Sequence, residues 1–165
     1  MQAGGSSART RGFTLLELLV VIAILMLLAG LLGFSLLRSI RGAELRDAAT
    51  LVATDLRRAK AVAQRGSRDV TMTWTPDSQG RFTQYDVAGR TSTLPAGTYM
   101  VCSRGCSATE HQLTYTAPHG ELSRTAGAVQ GKAFTLSSLT EGVAPLSVRV
   151  VGVTGKVMIG KGITP

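Results

Sequence analysis

The stretch "RTRGFTLLELLVVIAILMLLAGLLGFSLLRSIRGAELRD", Arg9 to Asp47, decides how the rest of the 165-residue chain is read. It places one carboxylate, Glu17, at the head of an apolar run. A charge at the centre of a bilayer costs at least about 2.5 kcal/mol, so an acid in that position needs a reason. From Leu18 to Leu37 only Ser35 is polar. Twenty helical residues would cover roughly 30 Å, the thickness of a bilayer's hydrocarbon core, which predicts a transmembrane helix over residues 13–37. A secretory signal peptide is shorter and ends at a small-residue cleavage site, which "FSLLRSIRG" does not supply. Arg9 and Arg11, with no acid before Glu17, keep the N-terminus cytoplasmic and send the residues beyond Leu37 outside.

Beyond the apolar run, Leu45, Ala49, Val52, Leu56, Ala59 and Ala63 recur at spacings of three and four. Glu44, Asp47, Asp55, Arg57, Arg58 and Arg65 fall elsewhere around the helix. This is an amphipathic face over 38–65, with Gly66 as the expected C-cap. One helix of about 80 Å from Phe13 to Arg65 is expected, greasy on all sides first and striped afterwards.

After Gly66 the pattern changes to short β-like runs separated by turn residues. "DVTMTWT" (69–75) and "RFTQYDV" (81–87) flank "PDSQG" and predict a hairpin. "TYMVC", "QLTYT", "KAFTLSS", "LSVRVVGV" and "KVMIG" continue the series, the last two joined through Thr154 and Gly155. Six or seven strands after one helix predict an α+β fold, with an antiparallel sheet over 66–165 covering the helix stripe.

"RGFTLLELLVVIAIL" resembles the N-terminus of type IV pilins and of type II secretion pseudopilins. The resemblance implies a prepilin leader over 1–12, cut by a prepilin peptidase between Gly12 and Phe13, and N-methylation of Phe13. It implies that Glu17 pairs with the terminal amine of a neighbouring subunit as helices stack. A buried ion pair is poor evidence of stability but a good register device, because a wrong stagger strands both charges in lipid. The competing role for Glu17 is local, a carboxylate favoured by the helix N-terminus. Where many relatives carry a proline near Phe34, this chain has Gly30 and Gly33.

The rest resembles the minor pseudopilin H group, the GspH/FimT family, through "LRRAKAVAQRGSRDVTMTW", "LTYTAPHGEL" and "SVRVVGVTGKVMIG". That group's basic terminal ending is here Gly155-Lys156-Val157-Met158. The implied function is that of a minor pseudopilin of a type II secretion system. Its expected location is the bacterial inner membrane, single-pass with an exported head, and its expected partners are other pilins or pseudopilins, the prepilin peptidase and inner-membrane lipid. The alternative is a type IV pilus or competence minor pilin whose head binds DNA. In that reading Arg149 and Lys156, with Arg124, Lys132 and Lys161, contact phosphates, and Tyr115 or Phe134 offers a stacking face.

The only cysteines, Cys102 and Cys106 in "CSRGC", are expected to form a disulfide in an oxidising exterior. With His111 and His119 they also give a Cys-x3-Cys-x4-His-x7-His spacing, which matches no standard zinc finger. No phosphate loop, nucleophile elbow or His-Glu-x-x-His occurs, and no cofactor, metal or enzymatic activity is expected. The formal charge of +8 suits anionic partners without choosing among them.

Overall fold

The structure is a computed structural model that describes residues 14–106, 109–123 and 131–162, apart from the side chains at 31, 32, 34 and 35. One helix, α1, runs Leu15–Gly66. The chain divides into two compact units, residues 1–37 and 38–165.

In the first unit α1 passes through Gly30 and Gly33 without a break. Its described apolar side chains are exposed, among them Leu15, Leu19, Ile24 and Leu27. Among the described residues no helix is long and apolar enough to cross a membrane. Four positions inside the apolar run read from the sequence lie outside the described side chains.

In the second unit the striped half of α1 buries Leu45, Ala48, Ala49, Val52, Ala53, Leu56, Ala59 and Ala63. These include every position that the spacing singled out. The helix ends differently from expectation, because the left-handed residue past its end is Ser67 (φ 47°) and not Gly66. The motif is the usual left-handed cap, displaced by one residue.

Ten strands are described: β1 Val70–Trp74, β2 Arg81–Phe82, β3 Gln84–Val87, β4 Arg90–Thr93, β5 Thr98–Arg104, β6 Gln112–Thr116, β7 Glu121–Leu122, β8 Lys132–Ser138, β9 Leu146–Val150 and β10 Val157–Lys161. They form two five-stranded sheets, ordered β4-β3-β1-β6-β7 and β10-β9-β8-β5-β2, instead of the one sheet expected. The predicted hairpin is half present. β1 pairs with β3 (Met72 with Val87), but Arg81 and Phe82 leave it to pair with β5 in the other sheet. The cause is a slip of alternation: Phe82, Tyr85 and Val87 are buried, so the inward phase moves by one residue at Thr83 and Gln84. The run therefore serves both sheets.

Aromatic rings tie the sheets together. Trp74 of the first sheet stacks on Phe82 at 5.6 Å and meets Phe134 edge-on at 5.2 Å, both from the second. Such pairs add about 0.5–1.5 kcal/mol beyond the area they bury. Polar side chains of α1 fasten the surrounding loops: Lys60 Nζ donates to Thr154 O at 2.6 Å, and Gln64 Nε2 to His119 O at 3.0 Å. Gly155 (φ 59°) lies so close to the Tyr115 ring and the Gly120 carbonyl that a Cβ would collide with both.

One cation is enclosed. Lys132 is 7% exposed, its Nζ makes no hydrogen bond among the described residues, and the nearest acid is Glu110 at 4.0 Å. The Trp74 ring lies 5.8 Å away. Burial lowers the Lys132 pKa below 10.5, and Glu110 only partly offsets this. A lysine with a lowered folded-state pKa destabilises the fold while it is charged, and that penalty fades as pH rises from its lowered pKa toward 10.5. Lys132→Met removes the buried charge and should therefore stabilise the protein near pH 7. The gain over wild type should shrink as pH approaches 10, measured by denaturant unfolding of the full chain across that range. Buried Tyr85 and Tyr115, whose phenol pKa values burial raises, are common to both proteins and cancel in the difference.

Candidate functional site

The residues expected to carry processing, Gly12 and Phe13, lie outside the described residues, as does Arg124. The described chain begins at Thr14, immediately before α1, and its geometry there is specific. Glu17 N donates to Thr14 Oγ1 at 3.2 Å, and Leu18 N to Thr14 O at 3.2 Å. Thr14 is therefore the N-cap of α1 and Glu17 its third residue, the Thr-x-x-Glu arrangement of a capping box. The signal is in the sequence, where "TLLE" sits immediately before the long run. Hydrophobic periodicity does not reveal it, because the box is made by polar residues. Glu17 is exposed and is the acid of the first turn, where the helix dipole favours negative charge.

Cys102 and Cys106 are bonded to each other, with Cα atoms 6.1 Å apart. Cys102 lies on β5 opposite Phe134, and both sulfur-bearing residues pack against the core. The link closes the β5 end over that ring. His111 lies 6.3 Å from the Trp74 ring, and the His119 carbonyl is held by Gln64. Both thiols are consumed by the disulfide.

The basic residues proposed for phosphate contact divide into two groups. Arg149 is exposed on β9, and its Cα neighbour across β8 is the small Ala133, which also faces Arg104 of β5. Two guanidinium side chains thus flank a small residue on one outer sheet face. Lys156 is exposed in the β9–β10 turn, with its N–H on Thr154 Oγ1. Lys132, in contrast, is enclosed, and Tyr115 and Phe134 are fully buried. The expectation that either ring offers a stacking face is corrected, because both are needed inside the core.

A polar cluster joins the helix to β3 and β4. Asp55 Oδ2, on the α1 stripe's flank, accepts the Tyr85 hydroxyl at 2.9 Å and the Ser92 hydroxyl at 2.7 Å. Burial raises the Tyr85 pKa, and the Asp55 hydrogen bond and charge raise it further. The phenol is consequently a fixed donor, tying β3 and β4 to the helix. Nothing in the spacing of Asp55, Tyr85 and Ser92 announces this, since 37 residues separate the first from the last.

Residues 7–33 match the prokaryotic N-terminal methylation motif. No curated protein matches the chain. Among solved structures, the type IV minor pilin FimU of Pseudomonas aeruginosa is similar at a TM-score of 0.55 and 15% identity, over 72% of this chain and 89% of that one. The minor pseudopilin EpsH from the Type 2 Secretion System of Vibrio cholerae is similar at a TM-score of 0.50 and 14% identity, over 72% of this chain and 97% of that one. The N-terminal methylation motif thus precedes a helix-and-two-sheet body whose fold is shared with a minor pilin and a minor pseudopilin. The chain joins the prokaryotic N-terminal methylation motif to an α+β fold similar to that of a type IV minor pilin and of a minor pseudopilin.

Proposed function

We propose that this protein is a minor subunit of a type II secretion pseudopilus. In this reading it is anchored in the inner membrane by the apolar half of α1, cut between Gly12 and Phe13, N-methylated on Phe13, and added to a short filament or its tip. The observation that carries the proposal is the methylation motif over residues 7–33, which runs into a capped helix whose described apolar side chains are unburied. An exposed greasy helix needs lipid or other helices around it, and a filament supplies both in turn. The work is structural, performed through subunit contacts.

Glu17 has two successive roles on this proposal. In the helix that Thr14 caps, its carboxylate stands in the first turn, favoured by the helix dipole and at the edge of the membrane where a charge costs least. In the filament the same carboxylate meets the amine freed on a neighbour's Phe13, and the pair fixes the axial stagger.

A DNA-binding head in a pilus or competence apparatus is the second reading, and the exposed Arg104 and Arg149, paired from either side with the buried Ala133, are the observation that favours it. The pseudopilus reading is preferred because the expected stacking rings and Lys132 are buried.

Co-expression with a prepilin peptidase should shorten the chain by the residues up to Gly12, and Gly12→Val should abolish that shift by mass spectrometry. Full-length wild type in cells with an active peptidase would sink the processing step. Glu17→Val should be inserted and cleaved yet recovered in sheared filaments at least about tenfold less than wild type. Equal recovery would leave Glu17 with its helix-dipole role alone. For the DNA reading, the full chain in detergent is titrated with a 20-base-pair duplex across a salt series. Weak binding that Arg149→Ala with Lys156→Ala leaves unchanged is expected. Tight binding whose salt slope drops by about one per lost contact would replace secretion with DNA uptake.

A further inference from the structure

The C-terminal turns of α1 and the β3–β4 hairpin enclose a cavity of about 170 Å³ within the second unit. Ala59, Val62, Val87 and Ala88 form its apolar lining, and Arg58, Arg68 and Arg90 stand around it. The cavity is well below the roughly 300–1,000 Å³ usual for cofactor and small-molecule sites. Its size suits one inserted side chain. The one acid in the wall, Asp55, is already occupied by the Tyr85 and Ser92 hydroxyls.

The arginines are in local surplus. Elsewhere Arg41 pairs with Glu44 at 2.8 Å, Arg57 reaches the Val157 carbonyl, and Arg81 lies over the Tyr99 ring at 4.5 Å. Arg58, Arg68 and Arg90 are exposed and make no ion pair or hydrogen bond among the described residues. Arg65, seven residues after Arg58, extends the row on the same helix face. The C-terminal dipole of α1 amounts to about half a negative charge, and Arg65 in the last turn already answers it. Three further cations around one apolar hollow exceed what the helix end requires.

We infer that this hollow is a docking site for a different subunit of the filament, one that presents a carboxylate beside an apolar side chain. The inference rests on the filament reading above and names the chemistry of the neighbour. A carboxylate carried on a protein side chain brings methylene groups to cover the alanine and valine lining while the guanidinium groups hold its oxygens. A phosphodiester backbone has no projecting side chain to insert there. A second copy is a poor occupant. Residues 38–165 carry 16 Lys and Arg against 9 Asp and Glu, a formal +7, and several of those acids are held locally. Asp69 accepts Ala117 N, Asp77 accepts Gln79 N and Arg81 N, and Asp86 accepts the Thr91 hydroxyl. Charges more than about 8 Å apart are screened at physiological salt, so the match must be made across the contact itself.

The test uses the full chain in its own filaments. Arg58→Lys and Arg90→Lys keep the charge and supply amines, which a water-soluble carbodiimide joins directly to any carboxylate in ion-pair contact. Mass spectrometry of the cross-linked filaments should find position 58 or 90 linked to an Asp or Glu of a different subunit. The charge-reversed pair Arg58→Glu with Arg90→Glu should still be cleaved and still unfold at the wild-type temperature, yet be incorporated at least tenfold less. Links confined to this chain, or full incorporation of the reversed pair while wild type is present in filaments, would overturn the docking site alone. Wild type missing from filaments would overturn the filament reading instead. If the reversed pair is incorporated normally but loses binding to a 20-base-pair duplex, the hollow is a nucleic-acid contact and the proposal fails.

Discussion

Much of the head follows from the need to bury a stripe of small residues on a helix. Ala48, Ala49, Ala53, Ala59 and Ala63 offer little side-chain area of their own, so the helix has to be approached closely by larger groups from elsewhere. Those groups are Tyr85, Met72 and Leu113 from one sheet and Phe134, Met100 and Val148 from the other, all within one core with the stripe. Buried apolar area stabilises by roughly 25 cal/mol per Å², and here most of it comes from the strands. The polar ties then fix orientation: Asp55 to β3 and β4, Arg57 and Lys60 to the β9–β10 region, Gln64 to the turn before β7. Each replaces a hydrogen bond to water, so each contributes only about 0.5–1.5 kcal/mol, more where a charge takes part, but together they leave the helix one seating.

The same helix has a different problem at its other end. Unbonded backbone N–H groups at an N-terminus need acceptors, and Thr14 supplies one to Glu17. The carboxylate that looks like an anomaly in an apolar run stands in the first turn, where the helix dipole favours negative charge before any partner arrives. This matters for assembly, since an acid that is tolerable in the single chain can wait in the membrane and still gain from a neighbour's amine.

Charge on the head is divided by use. Some cations are spent on the fold, as Arg41, Arg57, Lys60 and Arg81 are. Lys132 is enclosed at a cost that its distant acid does not remove. Arg58, Arg68, Arg90, Arg104 and Arg149 are left facing outward. A net charge alone says that an anionic partner is favoured; which residues remain unspent says where it would dock.

The helix stripe, the greasy run and most strands were legible in the sequence, because each depends on spacings of a few residues. Leu45, Val52 and Leu56 declare a helix face by period alone. β4 was not legible: "RTST" has no buried apolar residue and forms because Ala88 and Gly89, both at positive φ, turn the chain back onto β3. The division into two sheets left a trace in the slipped alternation between Phe82 and Tyr85, but pairing partners had to be known before the slip had meaning. The burial of Lys132, Tyr115 and Phe134, the Asp55 cluster and the arginine-rimmed hollow were decided by tertiary structure alone. Local sequence sets which way a side chain alternates. Only the packing of distant segments sets what it meets, whether water, a ring or an unpaired charge.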